Sequence, residues 1–503
     1  MKSQGGVRGR LDDWLNPIVV KELRQAVHGK FVAAALLLLL IVQLAALGIY
    51  IVSNGDFTGR FDAGRNAFMF LLAILMAICL LFVPAYTSMR LAFERDTNVD
   101  LLFVTTIKPS AIVWGKLFAA LTITVLIFSA CMPFMVFTYW LRGIDLPSIF
   151  VLMAAAFLVV AVAVMLATFV ACLPAGRVLK VFLSLLALII FLQAFVATLS
   201  WSFYSLSTGI GSRLGSWSFW GPALAAILIV AAVLGLLFSL SVAMIKPVSS
   251  NRALPVRLFV TVMWLVSGIA SAMIAYVQRD NTALSVWSVL SVLVFAGAFF
   301  VAVSEREQLG HRVARKIPWS GLRLPAFFLF SGAASGVAWA ALMSVLTYLS
   351  VRLLTASSVT LSTGGSVKES QVWVGGLALY GLAYSMSALF ARRYLLTRWM
   401  GTKYTWFVAV LLLAAGCIIP FLIGYMVTFG NFRGAEDIGP WLVTNPFALG
   451  IGWSRSAYLV VAGGWALLAC VLNADWFIEQ IHAFRPPEVS VPPPAGSTVC
   501  KRT

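Results

Sequence analysis

Apolar runs of about 20 residues, the length of helix that crosses a hydrocarbon core of about 30 Å, recur along the whole chain. About twelve can be drawn. They are Phe31 to Ile51, Ala67 to Met89, Leu117 to Trp140, Ile149 to Cys172, Val181 to Phe203 and Gly221 to Ile245 in the first half. In the second they are Leu258 to Gln278, Ala283 to Ser304, Pro325 to Ser350, Val372 to Ala391, Thr405 to Phe429 and Ala457 to Asn473. No water reaches that depth to satisfy peptide groups, so each run must close its own hydrogen bonds as a helix. The expected fold class is an all-α polytopic membrane protein of about 12 transmembrane helices. Composition agrees, with 61% hydrophobic and 11% charged residues against roughly 25% charged in soluble domains.

The 36 Lys and Arg outnumber the 18 Asp and Glu. In a soluble chain such an excess suggests nucleic acid; here it is first a matter of topology. With the amino terminus placed in the cytoplasm, about 27 of the Lys and Arg fall on the cytoplasmic side and about 9 outside, as the positive-inside rule requires. Both termini are therefore expected in the cytoplasm, nucleic acid is not an expected partner, and the bilayer is. The first apolar run is too long for a signal h-region and is followed by further spans, so it reads as an anchor and not as a cleavable signal.

Every Asp, Glu, Lys and Arg lies outside these spans or at their ends. Ion-coupled transporters keep an ionisable group at membrane depth to bind and release the coupling ion, and intramembrane hydrolases and acyltransferases need a catalytic group there. The pattern speaks against both. His28, His311 and His482 all read as interfacial residues of cytoplasmic segments. Cys79, Cys131, Cys172, Cys417 and Cys470 lie in or at the ends of apolar spans, with Cys500 in the tail and no metal-ligand spacing. No catalytic residue, metal site or bound cofactor is expected of this chain.

Ahead of the first span stands "DDWLNPIVVKELRQAVHGK". Asn16 as cap and Pro17 at the first turn open a helix. Leu15, Ile18, Val19, Leu23, Ala26 and Val27 recur on one side, and Lys21, Arg24, Gln25 and His28 take the other. Such a helix, with Pro17, Lys21, Glu22 and Arg24 as its marked residues, suits the cytoplasmic interface, either as an anchor beside lipid phosphates or as a contact for a partner subunit.

Between the second and third spans, residues 90–116 carry "ERDTNVDLLFVTTIKPSAIVWGK" from Glu94 onward. A solvated connector has no use for the apolar run "LLFVTTI", which reads as a short helix or ridge that docks on something. Taken together, "NPIVVKELRQ" and "ERDTNVDLLFVTTIKPSAIVWGKLFAAL" resemble the permease subunits of type-2 ATP-binding-cassette transporters, mostly exporters. That family's pattern is Glu-Arg-Glu, Gly-Thr, an acidic residue and two leucines, then Thr and Pro before a helix bearing Gly-Lys. The matching positions are Glu94, Arg95, Asp96, Asn98, Val99, Asp100, Leu101, Leu102, Thr105, Pro109, Gly115 and Lys116, with Asp96 for Glu, Asn98 for Gly, Val99 for Thr and Asp100 for Glu as departures. Asn98 can stand for Gly where a left-handed turn is needed. The resemblance covers about the first 245 residues. It implies that this loop holds a coupling helix that fits a groove on a cytoplasmic ATPase and transmits its movement to the spans. Glu94, Arg95, Asp96, Asp100, Leu101, Leu102, Thr105 and Pro109 are then the docking residues.

The chain contains no G-x-x-x-x-G-K-[ST] and no soluble segment long enough for a nucleotide-binding domain. It is not itself expected to be an enzyme; ATP and Mg would be held by separate ATPase subunits. After the eighth span, "SEREQLGHRVARKIPWSGLRLP" places Glu305, Arg306 and Glu307 ahead of Ile317 and Pro318 much as the first loop places Glu94, Arg95 and Asp96 ahead of Ile107 and Pro109. A duplicated six-span unit accounts for this, as does chance placement of charge in a cytoplasmic loop. Under duplication, Glu305, Arg306, Glu307 and Pro318 mark a second coupling loop. The outer segments "YSLSTGIGSRLGSWSFWGP" and "NFRGAEDIGPWLVTNPFALGIGWSR" precede the last span of each half and read either as short re-entrant helices, as in the resembled family, or as interfacial aromatic anchors. Gln43 and Gln193, inside spans, read as hydrogen-bonding glue between helices.

The expected organisation is a cytoplasmic segment 1–30 with the amphipathic helix, a six-span unit 31–246, a linker 247–257, a second six-span unit 258–474 and a disordered tail 475–503. The expected function is the permease of an ATP-driven exporter in the inner or plasma membrane of a bacterial cell. The rival readings are a non-transporting scaffold of a secretion or motility complex and, less favoured, a secondary transporter.

Overall fold

The computed structural model describes residues 17–28, 30–53, 62–104, 108–173, 177–247, 250–278, 280–318, 322–356, 364–428, 435–450 and 455–486. Every regular element among them is helical. Twelve helices are long and apolar enough to cross a membrane, so the chain is an all-α, multi-pass membrane protein. It divides into two compact units, Met1–Pro247 and Val248–Thr503.

The first unit opens with α1 (Pro17–His28), followed by the spanning helices α2 (Lys30–Ser53), α3 (Ala63–Val104), α4 (Pro109–Trp140), α5 (Leu146–Cys172) and α6 (Arg177–Ser207). A single turn, α7 (Ile210–Arg213), precedes the sixth span, α8 (Trp217–Ile245). Helices α3 and α5 form its centre: Phe68, Leu72, Leu75, Met76 and Val83 of α3 meet Ile149, Leu152, Val160 and Val164 of α5 in one fully buried cluster. Small residues of α5, Ala156 and Ala163, let the helices approach closely, the usual basis of packing where lipid is as apolar as the side chains. By contrast α6 and α8 are largely uncovered, with Leu185, Ile189, Leu192, Leu228 and Ile229 exposed, as suits a lipid-facing surface.

The second unit contains the spans α9 (Ala253–Gln278), α10 (Thr282–Ala302), α13 (Ala333–Ala356), α14 (Gly364–Phe390), α15 (Thr405–Val427) and α17 (Arg455–Leu472). Between them lie the short helices α11 (His311–Ala314), α12 (Arg323–Leu329) and α16 (Ala435–Ile438), and α18 (Ala474–Ala483) closes the described chain. Its neighbour order repeats that of the first unit. In each, the second span packs most extensively on the fourth; the second also packs on the first, third and fifth, and the fourth on the third, fifth and sixth.

Three stretches differ from expectation. The tail expected to be disordered from 475 is helical to Ala483, because Trp476, 2% exposed, packs into the core of the unit. The run "LLFVTTI" does not start a separate element: α3 continues without a break from the second span to Val104, with Asn98 inside the helix and not in a left-handed turn. Nothing between Phe93 and Val104 is Gly or Pro, so no residue stops the helix. Its 42 residues, with Pro84 inside the span, follow a helical path of about 63 Å, about twice the hydrocarbon thickness. The ninth span, expected to run unbroken from Pro325 to Ser350, is split at residues 330–332 into α12 and α13.

One turn needs its glycine. At the start of α3, Gly64 donates its backbone N–H to the Arg142 carbonyl at 2.8 Å, and a Cβ there would lie 2.3 Å from that oxygen. Arg142 itself takes a left-handed φ of 66°, followed by Gly143 at 86°.

Candidate functional site

At the end of the first unit that bears α1, three helices are tied by charge. Glu22 of α1 is 6% exposed, and its Oε1 accepts a hydrogen bond from Lys116 Nζ of α4 at 2.8 Å; Lys116 is 3% exposed. Arg90, from the lower part of α3, reaches the other Glu22 oxygen at 3.4 Å, donates to Gln25 of α1 and to Tyr86 Oη at 2.8 Å, and stacks its guanidinium over the Tyr86 ring. The pair is charge-balanced and hydrogen-bonded on several sides, the condition under which buried ions are tolerated. Tyr86, Thr87, Ala119, Ala120 and Ile123 line the small cleft around it.

This geometry revises the reading of α1. Lys21 and Arg24 are exposed, as an interfacial helix requires, but Glu22 and Val19 turn inward. The helix is thus docked on α4 as well as amphipathic. Pro17 is its first residue and Pro109 the first of α4, where a missing N–H costs nothing. Glu94, Arg95, Asp96, Asp100, Leu101 and Leu102 all lie on the extension of α3, on backbone continuous with the span; their side chains, and Thr105 altogether, lie outside the described residues.

In the second unit the corresponding end is held by a different set of charges. Arg257, assigned above to the linker, is the fifth residue of α9 and is 4% exposed. Its Nη2 donates to both Glu305 oxygens at 2.8 Å, and its Nη1 donates to the carbonyls of Phe328 at 3.0 Å and Phe330 at 2.6 Å. Glu305 in turn accepts the Gly332 N–H at 2.7 Å. The split between α12 and α13 leaves these backbone groups without helical partners, and the ion pair completes the broken helix together with Asn251, whose Nδ2 donates to the Leu329 carbonyl at 3.4 Å and whose Oδ1 accepts the Ser331 N–H at 3.1 Å. Glu307 pairs with Arg392, which is itself buried. Of the residues proposed for a second coupling loop, Glu305 and Glu307 therefore face inward in ion pairs, Arg306 is exposed and Pro318 is partly buried.

Before the last span of the second unit, the backbone is held by buried tyrosines from neighbouring spans. Tyr380 donates to the Val443 carbonyl, Tyr384 to that of Thr444 at 2.6 Å and Tyr458 to that of Gly439 at 3.2 Å, while Thr444 Oγ1 donates to the Gly416 carbonyl at 2.6 Å. The glue expected of Gln43 is not made among the described residues: it is fully buried in α2, and neither amide atom has a hydrogen-bond partner there. Gln193 is exposed on α6.

Comparison with protein-family models, with curated proteins and with solved structures finds no match.

Proposed function

We propose that this chain is the permease subunit of an ATP-driven exporter and that its 94–109 segment docks a separate cytoplasmic ATPase. One observation carries the reading. The two stretches whose residues resemble the type-2 permeases are 94 positions apart at Glu22 and Lys116, and those two residues meet in a buried ion pair. The Glu of "KELRQ" and the Lys of "WGKL" thus have a shared purpose: they brace α1 against α4 beside the place where α3 leaves the bundle. A helix that runs unbroken from the segment 94–104 into the second span is suited to carry a push at its tip into the core, since α3 and α5 form that core. ATP and Mg are held by the partner ATPase in this reading. The Lys and Arg distribution supports a cytoplasmic location for both chain ends.

The test is co-purification of the tagged chain from its native membrane in mild detergent, wild type beside a Glu94→Ala, Leu101→Asp variant. The expected result is an ATP-binding-cassette ATPase recovered with wild type and lost from a variant that still inserts and melts normally. Recovery of no ATPase, or equal recovery with the variant, rejects the docking role and favours a scaffold.

A further inference from the structure

We propose that the second unit carries a binding site for the phosphate of an anionic phospholipid, at the end where α10 and α14 terminate. Two loops meet there. The segment after α10 and the segment after α14 are joined by the Glu307–Arg392 pair and by the Trp406 N–H donating to Ser304 Oγ at 2.7 Å. Both carboxylates of the first loop are already engaged inward, Glu305 with Arg257 and Glu307 with Arg392. The charge left facing outward is cationic. Val313 and Ile317 are buried, and Arg306, Arg312, Arg315 and Lys316 are exposed between and around them; Arg398 and Lys403 are exposed on the second loop.

The second loop begins with a π-helical turn, Ala391–Leu395, an element often found at functional sites. This turn places two adjacent arginines at the end of α14. Nε of Arg392 and Nη1 of Arg393 are both buried and have no acceptor among the described residues. Buried guanidinium nitrogens without acceptors are costly, and a phosphate offers oxygens in the geometry that they bind best. Around them Trp399 is 86% exposed, with Tyr394, Leu395 and Tyr404 also exposed. Aromatic and aliphatic side chains beside cations suit the boundary between acyl chains and headgroups, which favours a lipid over a free anion or an aqueous partner.

The probes are phosphatidylglycerol and phosphatidylcholine with matched chains, titrated onto the detergent-purified full chain, with bound lipid counted by native mass spectrometry. Wild type is expected to prefer phosphatidylglycerol, and each cation removed from the site is expected to weaken that lipid by about fivefold. Arg393→Gln with Arg398→Gln should then lose about 30-fold and leave phosphatidylcholine unaffected; Arg393→Lys should recover part of the loss. A separate Arg312→Gln, Arg315→Gln variant, altered only at exposed positions, should lose the preference while melting as wild type does. Equal binding of the two lipids by wild type, or a preference unchanged in both Gln variants, overturns the proposal. Displacement of the lipid by millimolar inorganic phosphate overturns the lipid assignment in favour of a free-anion site.

Discussion

Removing the Glu22 carboxylate should release α1 from the bundle. In Glu22→Ala the Lys116 ammonium, 3% exposed, is left without its carboxylate, with the Arg90 guanidinium nearby as a like charge. Breaking one side of a buried pair costs about 3–5 kcal/mol. Arg90 is 27% exposed at its side chain and can turn to water, so the lower end applies. About 3 kcal/mol is on the order of 150-fold in the docking equilibrium. Lys116→Met should cost less, about 1–2 kcal/mol, because Glu22 keeps Arg90. The double variant Glu22→Met, Lys116→Met removes both buried charges and should dock nearly as well as wild type. An isolated helix of 12 residues is marginal in water, so hydrogen exchange of the α1 amides in lipid nanodiscs reports undocking. The expected order of exchange is Glu22→Ala fastest, Lys116→Met intermediate and the double variant close to wild type. Single variants within twofold of wild type, or a double variant as fast as the two single losses combined, would refute the reasoning.

Other sites give sharper yes-or-no outcomes. Gln43→Leu removes a buried amide without partners and should stabilise the detergent-solubilised chain by about 1–3 kcal/mol, read as a raised melting temperature; a lowered one would mean that the amide is paired. Gly64→Ala would drive a Cβ into the Arg142 carbonyl and should lower the melting temperature, whereas Gly48→Ala, with open space around it, should not. Arg257→Met leaves Glu305, 23% exposed at its side chain, without its cation and takes the donor from the Phe328 carbonyl, while Phe330 keeps Ser335 Oγ, so the lower end of the cost, about 3 kcal/mol, applies; exchange should rise first at residues 328–333. Tyr384→Phe orphans the Thr444 carbonyl, and protease access to the 439–450 segment should increase by about tenfold if that bond is worth roughly 1.4 kcal/mol.

The spans were legible because bilayer thickness imposes a length on apolar runs, and both the number of helices and the start of α4 at Pro109 follow from that and from proline's place in a first turn. The charged ends were not. Glu22 and Lys116 stand beside aqueous-looking neighbours and far apart in sequence, so each reads as an exposed interfacial residue until packing brings them together. Arg257 has the same ambiguity: a cation four residues into a helix start looks like a linker residue until packing brings it to Glu305 and to the carbonyls freed by the break at residues 330–332. The extension of α3 was hidden by a family pattern with Gly at the place of Asn98, since Asn tolerates the helix that Gly would weaken.

The docking role of the 94–109 segment is tested most directly by site-specific photocrosslinking in the native membrane. A photoreactive residue would be placed in turn at Leu101, Leu102 and Thr105, and at Arg306 and Arg312 of the second unit. The account predicts an adduct with one ATP-binding-cassette ATPase from the first three positions and none from the last two. Adducts from the second unit alone, or no ATPase adduct from any position in cells where the chain is functional, would contradict it.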